Sequence, residues 1–137
     1  MFEDERALAI AREWSTKAEN DLRTAVQTLK LGARTPTDTV CFHAQQCVEK
    51  LIKALLTSLE IDFTKTHDLG ILVALIPDRM RPSLTVAELR TLTAYATITR
   101  YPGDYEPITL EDARQAVELA RRTRRETRKF LPKKLKV

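Results

Sequence analysis

Only three glycines occur in 137 residues, and aromatic side chains make up 6% of the chain. So little glycine argues against a Gly-rich phosphate loop and against a turn-rich β-sandwich. No run approaches eighteen consecutive apolar residues, and the acidic start MFEDERALAI lacks the form of a secretory signal. The sequence therefore predicts a cytoplasmic protein with no membrane association. Its two histidines, His43 and His67, and its two cysteines, Cys41 and Cys47, do not give metal-ligand spacing, so neither a metal nor a cofactor is expected. The cysteines fall six residues apart on one predicted helix, a rise of about 9 Å that is beyond disulfide reach. They read as reduced, buried packing residues.

What the chain does have is the composition of one soluble globular domain, 43% hydrophobic and 31% charged. Charge is uneven. Residues 121–137 hold nine Lys or Arg against one acid, Glu126, whereas the first 120 residues carry fourteen basic and eighteen acidic side chains. The pI of about 9.2 thus reflects a basic C-terminus on a mildly acidic body.

The stretch from Thr35 to Leu59 organises the rest. Thr35 reads as an N-cap with Pro36 at the first helical position, and about six turns follow without Gly or Pro. At 100° per residue, Val40, Cys41, Ala44, Cys47, Val48, Leu51, Ile52, Leu55 and Leu59 cover half the circumference. His43, Gln46, Glu49, Lys50 and Lys53 fill a narrower polar arc. Such a helix packs on several neighbours, with one polar stripe left over.

Before it, residues 4–31 predict a helix with Ile10, Trp14, Ala18, Leu22, Ala25 and Leu29 as its apolar stripe, ended near Gly32. Trp14 reads as a core anchor. After it comes a linker whose Ile61 and Phe63 cover the bundle end. Thr66 is expected to cap a short helix from His67 to Ile76, stopped by Pro77. Capping boxes at Thr85/Glu88 and Thr109/Asp112 start two further helices, the last reaching about Phe130. No alternating strand pattern occurs. The expected fold is all-α, an up-and-down antiparallel bundle of four long helices plus one short helix. It forms a single domain over 1–131 with a basic tail at 132–137.

The segments His43-Ala44-Gln45-Gln46-Cys47-Val48-Glu49-Lys50, Lys53-Ala54-Leu55-Leu56, Thr66-His67-Asp68-Leu69 and Arg100-Tyr101-Pro102 occur in an order and spacing that resemble the HEPN (higher eukaryotes and prokaryotes nucleotide-binding) domain family. The resemblance runs from about residue 18 to about residue 130. It implies a small helical bundle, usually a homodimer, often encoded beside a minimal nucleotidyltransferase in a two-component, toxin–antitoxin-like module. Many members are metal-independent ribonucleases marked by Arg, four to six residues, then His, at a dimer cleft. Here the chain departs from the pattern. No arginine lies five to seven positions before His43 or His67, and no histidine follows Arg100. Imidazole suits acid–base work at neutral pH, so its absence from that spacing removes the family route to cleavage. The expected role is binding of nucleotide, of a nucleotidyltransferase partner, or of both, without catalysis by this chain. The alternatives are a ribonuclease toxin using Arg100 with His43 or His67, and an RNA-binding module using the last helix.

Four groups are candidate sites. His43, Gln46, Lys50 and Lys53 align along the central helix and could face a phosphate or a base. Alternatively they form a solvated face in which Glu49 pairs with Lys53. His67 and Asp68 sit at a helix start, where unpaired N–H groups favour anions. Arg100, Tyr101, Asp104 and Tyr105 group a guanidinium, two phenols and a carboxylate around the Pro102-Gly103 turn, suited to phosphate and base contacts. Arg114, Arg121, Arg125 and Arg128 form a ridge on the last helix, flanked by Arg122 and Lys129. That ridge suits a nucleic-acid backbone, a partner's acidic surface, or simply the helix macrodipole.

Overall fold

A computed structural model describes residues 4–97 and 106–135 of the chain. Its elements are α1 (Glu5–Leu29), α2 (Thr37–Ser58), α3 (Leu69–Ala74), α4 (Val86–Ala94) and α5 (Leu110–Arg128), with 3₁₀ turns at Gly32–Arg34, Asp78–Met80 and Lys133–Leu135. No strand occurs among the described residues, and the architecture is the all-α bundle the periodicity predicts. No helix among them is long and apolar enough to cross a membrane.

The α1 helix starts because the Asp4 carboxylate accepts from the backbone N–H groups of Arg6 and Ala7. It ends before Gly32, which takes φ +61°, the left-handed conformation that glycine adopts without penalty. Its buried face is Leu8, Ala11, Ser15, Ala18, Asp21, Leu22 and Ala25. The expected stripe is therefore rotated at its start: Ile10 is exposed, Trp14 is half-buried against the core, and a carboxylate, Asp21, lies inside the seam.

The central helix begins one residue later than its sequence signals imply. Pro36 is the N-cap, and the Thr35 hydroxyl points backwards to the carbonyls of Thr28 and Leu29. The Thr28 carbonyl also accepts from the Leu31 N–H at 3.1 Å, and Thr35 adds longer contacts of 3.4 and 3.5 Å, so its hydroxyl serves the outgoing helix instead of the incoming one. Along α2, all of the expected apolar face except half-buried Leu59 is buried, and Ala54 and Leu56 join it. The helix packs on α1 and α5 along its length and on α3 and α4 at one side. It ends in a Schellman motif, with the Ile61 N–H bonded to Leu56 O at 2.9 Å and the Glu60 N–H to Thr57 O at 3.0 Å.

The short helix also starts later than expected. Asp68, not Thr66, caps it by accepting from the Ile71 N–H, and the Thr66 hydroxyl accepts from the Asp68 N–H just upstream. His67 consequently sits in the loop ahead of α3 rather than on the helix. Both predicted capping boxes form, at Thr85/Glu88 and Thr109/Asp112. The inner face of α5 is Ala113, Ala116, Val117, Leu119, Ala120, Thr123 and Thr127, small enough for close approach to α2. After α5, Leu131 and Leu135 are buried and the last 3₁₀ turn lies against α1.

Candidate functional site

The polar arc of α2 is not a solvated face. Glu49 and Lys53 are buried, whereas Phe42, His43, Gln46 and Lys50 are half-exposed and form a strip between α1 and the loop before α3. Two hydrogen-bonded groups lie under that strip.

The first is centred on Asp21 of α1. Its carboxylate receives His43 Nδ1 at 2.8 Å on one oxygen and Lys50 Nζ at 2.6 Å on the other. The α1–α2 pairing brings these residues together, since His43 and Lys50 are seven apart and share one side of the helix. An ionised carboxylate only accepts, so Nδ1 of His43 carries the hydrogen in this contact and Nε2 is left unprotonated in the neutral ring. The ring of Phe42 meets that of His43 edge-on, with centroids 5.5 Å apart.

The second is centred on Glu49. Its Oε1 accepts from Gln45 Nε2 at 2.9 Å and from His67 Nδ1 at 2.8 Å, and its Oε2 accepts from Lys53 Nζ at 2.9 Å. Gln46 Nε2 donates in turn to Gln45 Oε1 at 2.7 Å. Burial opposes ionisation of Glu49. The hydrogen bonds from His67, Lys53 and Gln45 and the charge of Lys53 outweigh it and hold the carboxyl below its ordinary range. Lys53 is further enclosed by Trp14 and Phe63, whose ring centroids lie 5.3 and 5.7 Å from Nζ. The aromatic residues read as core and linker cover thus also shelter a buried cation.

The structure places the sequence candidates as follows. His43, Gln46 and Lys50 share the strip, and His67 joins it through Glu49 from the neighbouring loop. Asp68 is committed to capping α3. Lys53 and Glu49 form the expected i,i+4 pair, but as a buried pair beneath the strip. Arg100, Tyr101, Asp104 and Tyr105 lie outside the described residues. On α5, Arg114, Arg121 and Arg125 are exposed and Arg128 is half-buried. Sequence reasoning missed Asp21 and Gln45. The available signal for Asp21 was an acid three residues after Ala18 and four before Ala25, inside a helical apolar stripe.

Among the described residues no group of three or more His, Cys, Asp or Glu could hold a metal ion. Cys41 and Cys47 are buried and reduced. Burial pushes the Cys41 thiol up to about 12, its hydrogen bond with Tyr95 offsetting only part of the rise. Burial, with Glu19 and Asp21 nearby, raises Cys47 as well. Neither thiol is suited to act as a nucleophile.

Comparison with curated proteins gives no match. Among solved structures, the crystal structure of TT1696 from Thermus thermophilus is similar to this chain, with a TM-score of 0.74 and 28% identity over 88% of this chain and 98% of that one. The family model described as HEPN domain matches residues 11–130, which takes in α1 from Ala11 onward, the other four helices and both carboxylate-centred groups; the chain belongs to the HEPN domain family.

Proposed function

We propose that this HEPN protein binds a nucleotide on the half-exposed strip of α2, as one component of a two-protein, toxin–antitoxin-like module with a minimal nucleotidyltransferase. One observation carries the reading: His43 and His67 are each held through Nδ1 by a carboxylate beneath the strip. Anchoring Nδ1 in this way directs Nε2 away from the carboxylate and fixes the ring for a ligand. Among the described residues neither Nε2 has a hydrogen-bond partner. When protonated, the two rings offer N–H donors to phosphate oxygens, with Lys50 adding charge and Gln46 a free carbonyl oxygen for a base edge. A homodimer in the cytoplasm, with Arg100, Tyr101, Asp104 and Tyr105 completing the site, is part of the same proposal. The two reduced thiols agree with that compartment.

Thermal denaturation with ATP and with GTP at millimolar concentration tests the nucleotide. A ligand at a hundredfold excess over its Kd adds about 2.7 kcal/mol. Stabilisation is expected for the wild type and is reduced in a His43→Ala, Lys50→Ala variant. No shift with either nucleotide would remove nucleotide binding and leave the partner role. Co-purification with a minimal nucleotidyltransferase, where the neighbouring gene encodes one, tests that role in turn.

The carboxylate-held imidazoles also favour a second reading, RNA cleavage by a non-standard set in which His43 or His67 acts with Arg100. Incubation of the purified protein with total RNA, beside His43→Ala, His67→Ala and Arg100→Ala controls, decides it. Cleavage lost in these variants would replace the binding-only role.

A further inference from the structure

We propose that the outer face of α5, continued onto α1, is a docking surface for the phosphodiester backbone of a double-helical polynucleotide, read without sequence preference. The fold sorts the basic residues of α5 into two sets. Arg122 turns inward to Ser83 O at 3.0 Å and Glu88 Oε1 at 3.3 Å, and Arg124 pairs with Glu19 of α1. Arg114, Arg121 and Arg125 stay exposed on one side, spread over eleven residues, or about 16 Å of helix.

Three acids that lie near the basic residues of α5 are engaged elsewhere. Glu88 faces Arg122, and Glu19 faces Arg124. Glu126 is held by the Ser83 backbone N–H at 2.6 Å and by its hydroxyl. The exposed acids on this side of α5 are Glu111, one turn before Arg114, and Glu118, between Arg114 and Arg121.

The face extends to α1. The Thr37 hydroxyl donates to Ile108 O at 2.8 Å, so α2 and α5 start at the same end of the bundle. The short turn between α1 and α2 makes α1 antiparallel to both. Arg23, exposed and one turn beyond Glu19, therefore comes level with Arg121, one turn before Arg124.

Three occupants fit a basic face, and the structure separates them. The macrodipole accounts for Arg125 and Arg128 in the last turn of α5, but not for Arg114, Arg121 or Arg23. A protein partner needs an apolar centre from which charged residues are depleted. Among the described residues the large apolar side chains that are exposed are Ile10, Leu31, Ile71, Leu75 and Val86, none of them on α5. The α5 face carries no aromatic residue either, so it cannot stack unpaired bases. Guanidinium groups without apolar or aromatic neighbours are suited to phosphates, and backbone contacts position a duplex without reading its sequence.

The test is fluorescence anisotropy with a 20-base-pair RNA duplex, the matching DNA duplex and a single-stranded oligonucleotide, each titrated between 50 and 200 mM salt. The expected result is binding of a duplex in preference to the single strand. Four phosphate contacts imply a log–log salt slope of about −3 to −4. An Arg121→Glu, Arg125→Glu variant should bind at least tenfold more weakly at 50 mM salt, with a slope shallower by about 2. Glu118→Arg should bind more tightly, and Arg79→Glu, in the Pro loop, should bind as the wild type does. Binding of RNA alone assigns the face to RNA, and binding of both duplexes to the shared backbone. The inference fails if neither duplex binds at 50 mM salt, if the double reversal leaves the slope unchanged, or if an acidic peptide competes as well as the duplex. Circular dichroism melting of each variant establishes that weaker binding is not unfolding.

Discussion

His67, whose side chain is 57% exposed, holds Glu49, whose side chain is 4% exposed, at 2.8 Å. A loop residue is thereby tied to a carboxylate in the middle of the central helix. The carboxylate also anchors Lys53, itself only 9% exposed, so removing it strands a buried cation. Breaking a buried pair by deleting one partner costs about 3–5 kcal/mol. Glu49→Ala is therefore expected to lose that much in urea denaturation, and Glu49→Gln distinctly less because the amide oxygen still accepts. His67→Ala, removing one bond at the solvent edge, should cost about 1.5 kcal/mol. Equal losses for Glu49→Ala and His67→Ala would mean that Lys53 finds another partner.

The same carboxylate gives a pH dependence of known sign. Its pKa is lower in the folded chain than in the unfolded one. The unfolded chain thus takes up the proton first as pH falls, and stability declines with it. The contribution is fully present above the unfolded value of about 4.3 and is lost as pH drops through the folded one. Denaturation midpoints measured from pH 6 to pH 3 should fall for the wild type. They should fall less steeply for Glu49→Gln, which has no proton to gain at that position.

Much of the fold was legible because its signals are local. Capping boxes at Thr85 and Thr109 and the helical period of α2 depend on neighbours three and four residues away, and all are present in the structure. Errors arose where a residue had two possible partners. Thr35 could cap forwards or backwards, and its hydroxyl turned to the carbonyls at the end of α1. Thr66 and Asp68 could each cap α3, and Asp68 did so because the helix begins at Leu69. The site was less legible. Periodicity put His43, Gln46, Lys50 and Lys53 on one arc, but burial divides that arc, and burial depends on α1 and the 62–68 loop. Asp21 lies 22 residues from His43, and nothing local links them.

Glu60 takes φ 56° at the end of α2, in the left-handed region where a β-carbon crowds the following carbonyl. Its side chain is exposed and makes no hydrogen bond among the described residues. Glu60→Gly should keep the Schellman bonds to Thr57 and Leu56 while relieving that crowding. A gain of about 1 kcal/mol in thermal or urea denaturation is expected. A loss would show that the restricted unfolded chain of the glutamate outweighs the strain.

Cys41 and Cys47 are 0% and 1% exposed. A thiol reagent at pH 8 should therefore modify neither in the native protein and both in denaturant. The rate should follow unfolding, since burial has raised both thiols far above that pH. Fast modification of one thiol without denaturant would reveal local opening of α2 from α1 or α5.

Asp21 offers the sharpest test of how the strip is oriented. Both of its oxygens accept, one from His43 and one from Lys50. Asparagine has one accepting oxygen and an NH₂ that only donates. In Asp21→Asn the oxygen should turn to the lysine, whose charged donor makes the stronger bond. The NH₂ then faces Nδ1, which can accept only by losing its hydrogen, so the neutral ring must carry its proton on Nε2. Nitrogen-15 NMR of the neutral imidazole should report protonated Nδ1 in the wild type and protonated Nε2 in the variant. Because the outward nitrogen has changed from acceptor to donor without a change in ring position, nucleotide affinity above neutral pH should rise in Asp21→Asn if His43 contacts phosphate. An unchanged tautomer would show that His43 is held by something other than Asp21. A changed tautomer with unchanged affinity would remove His43 from the ligand.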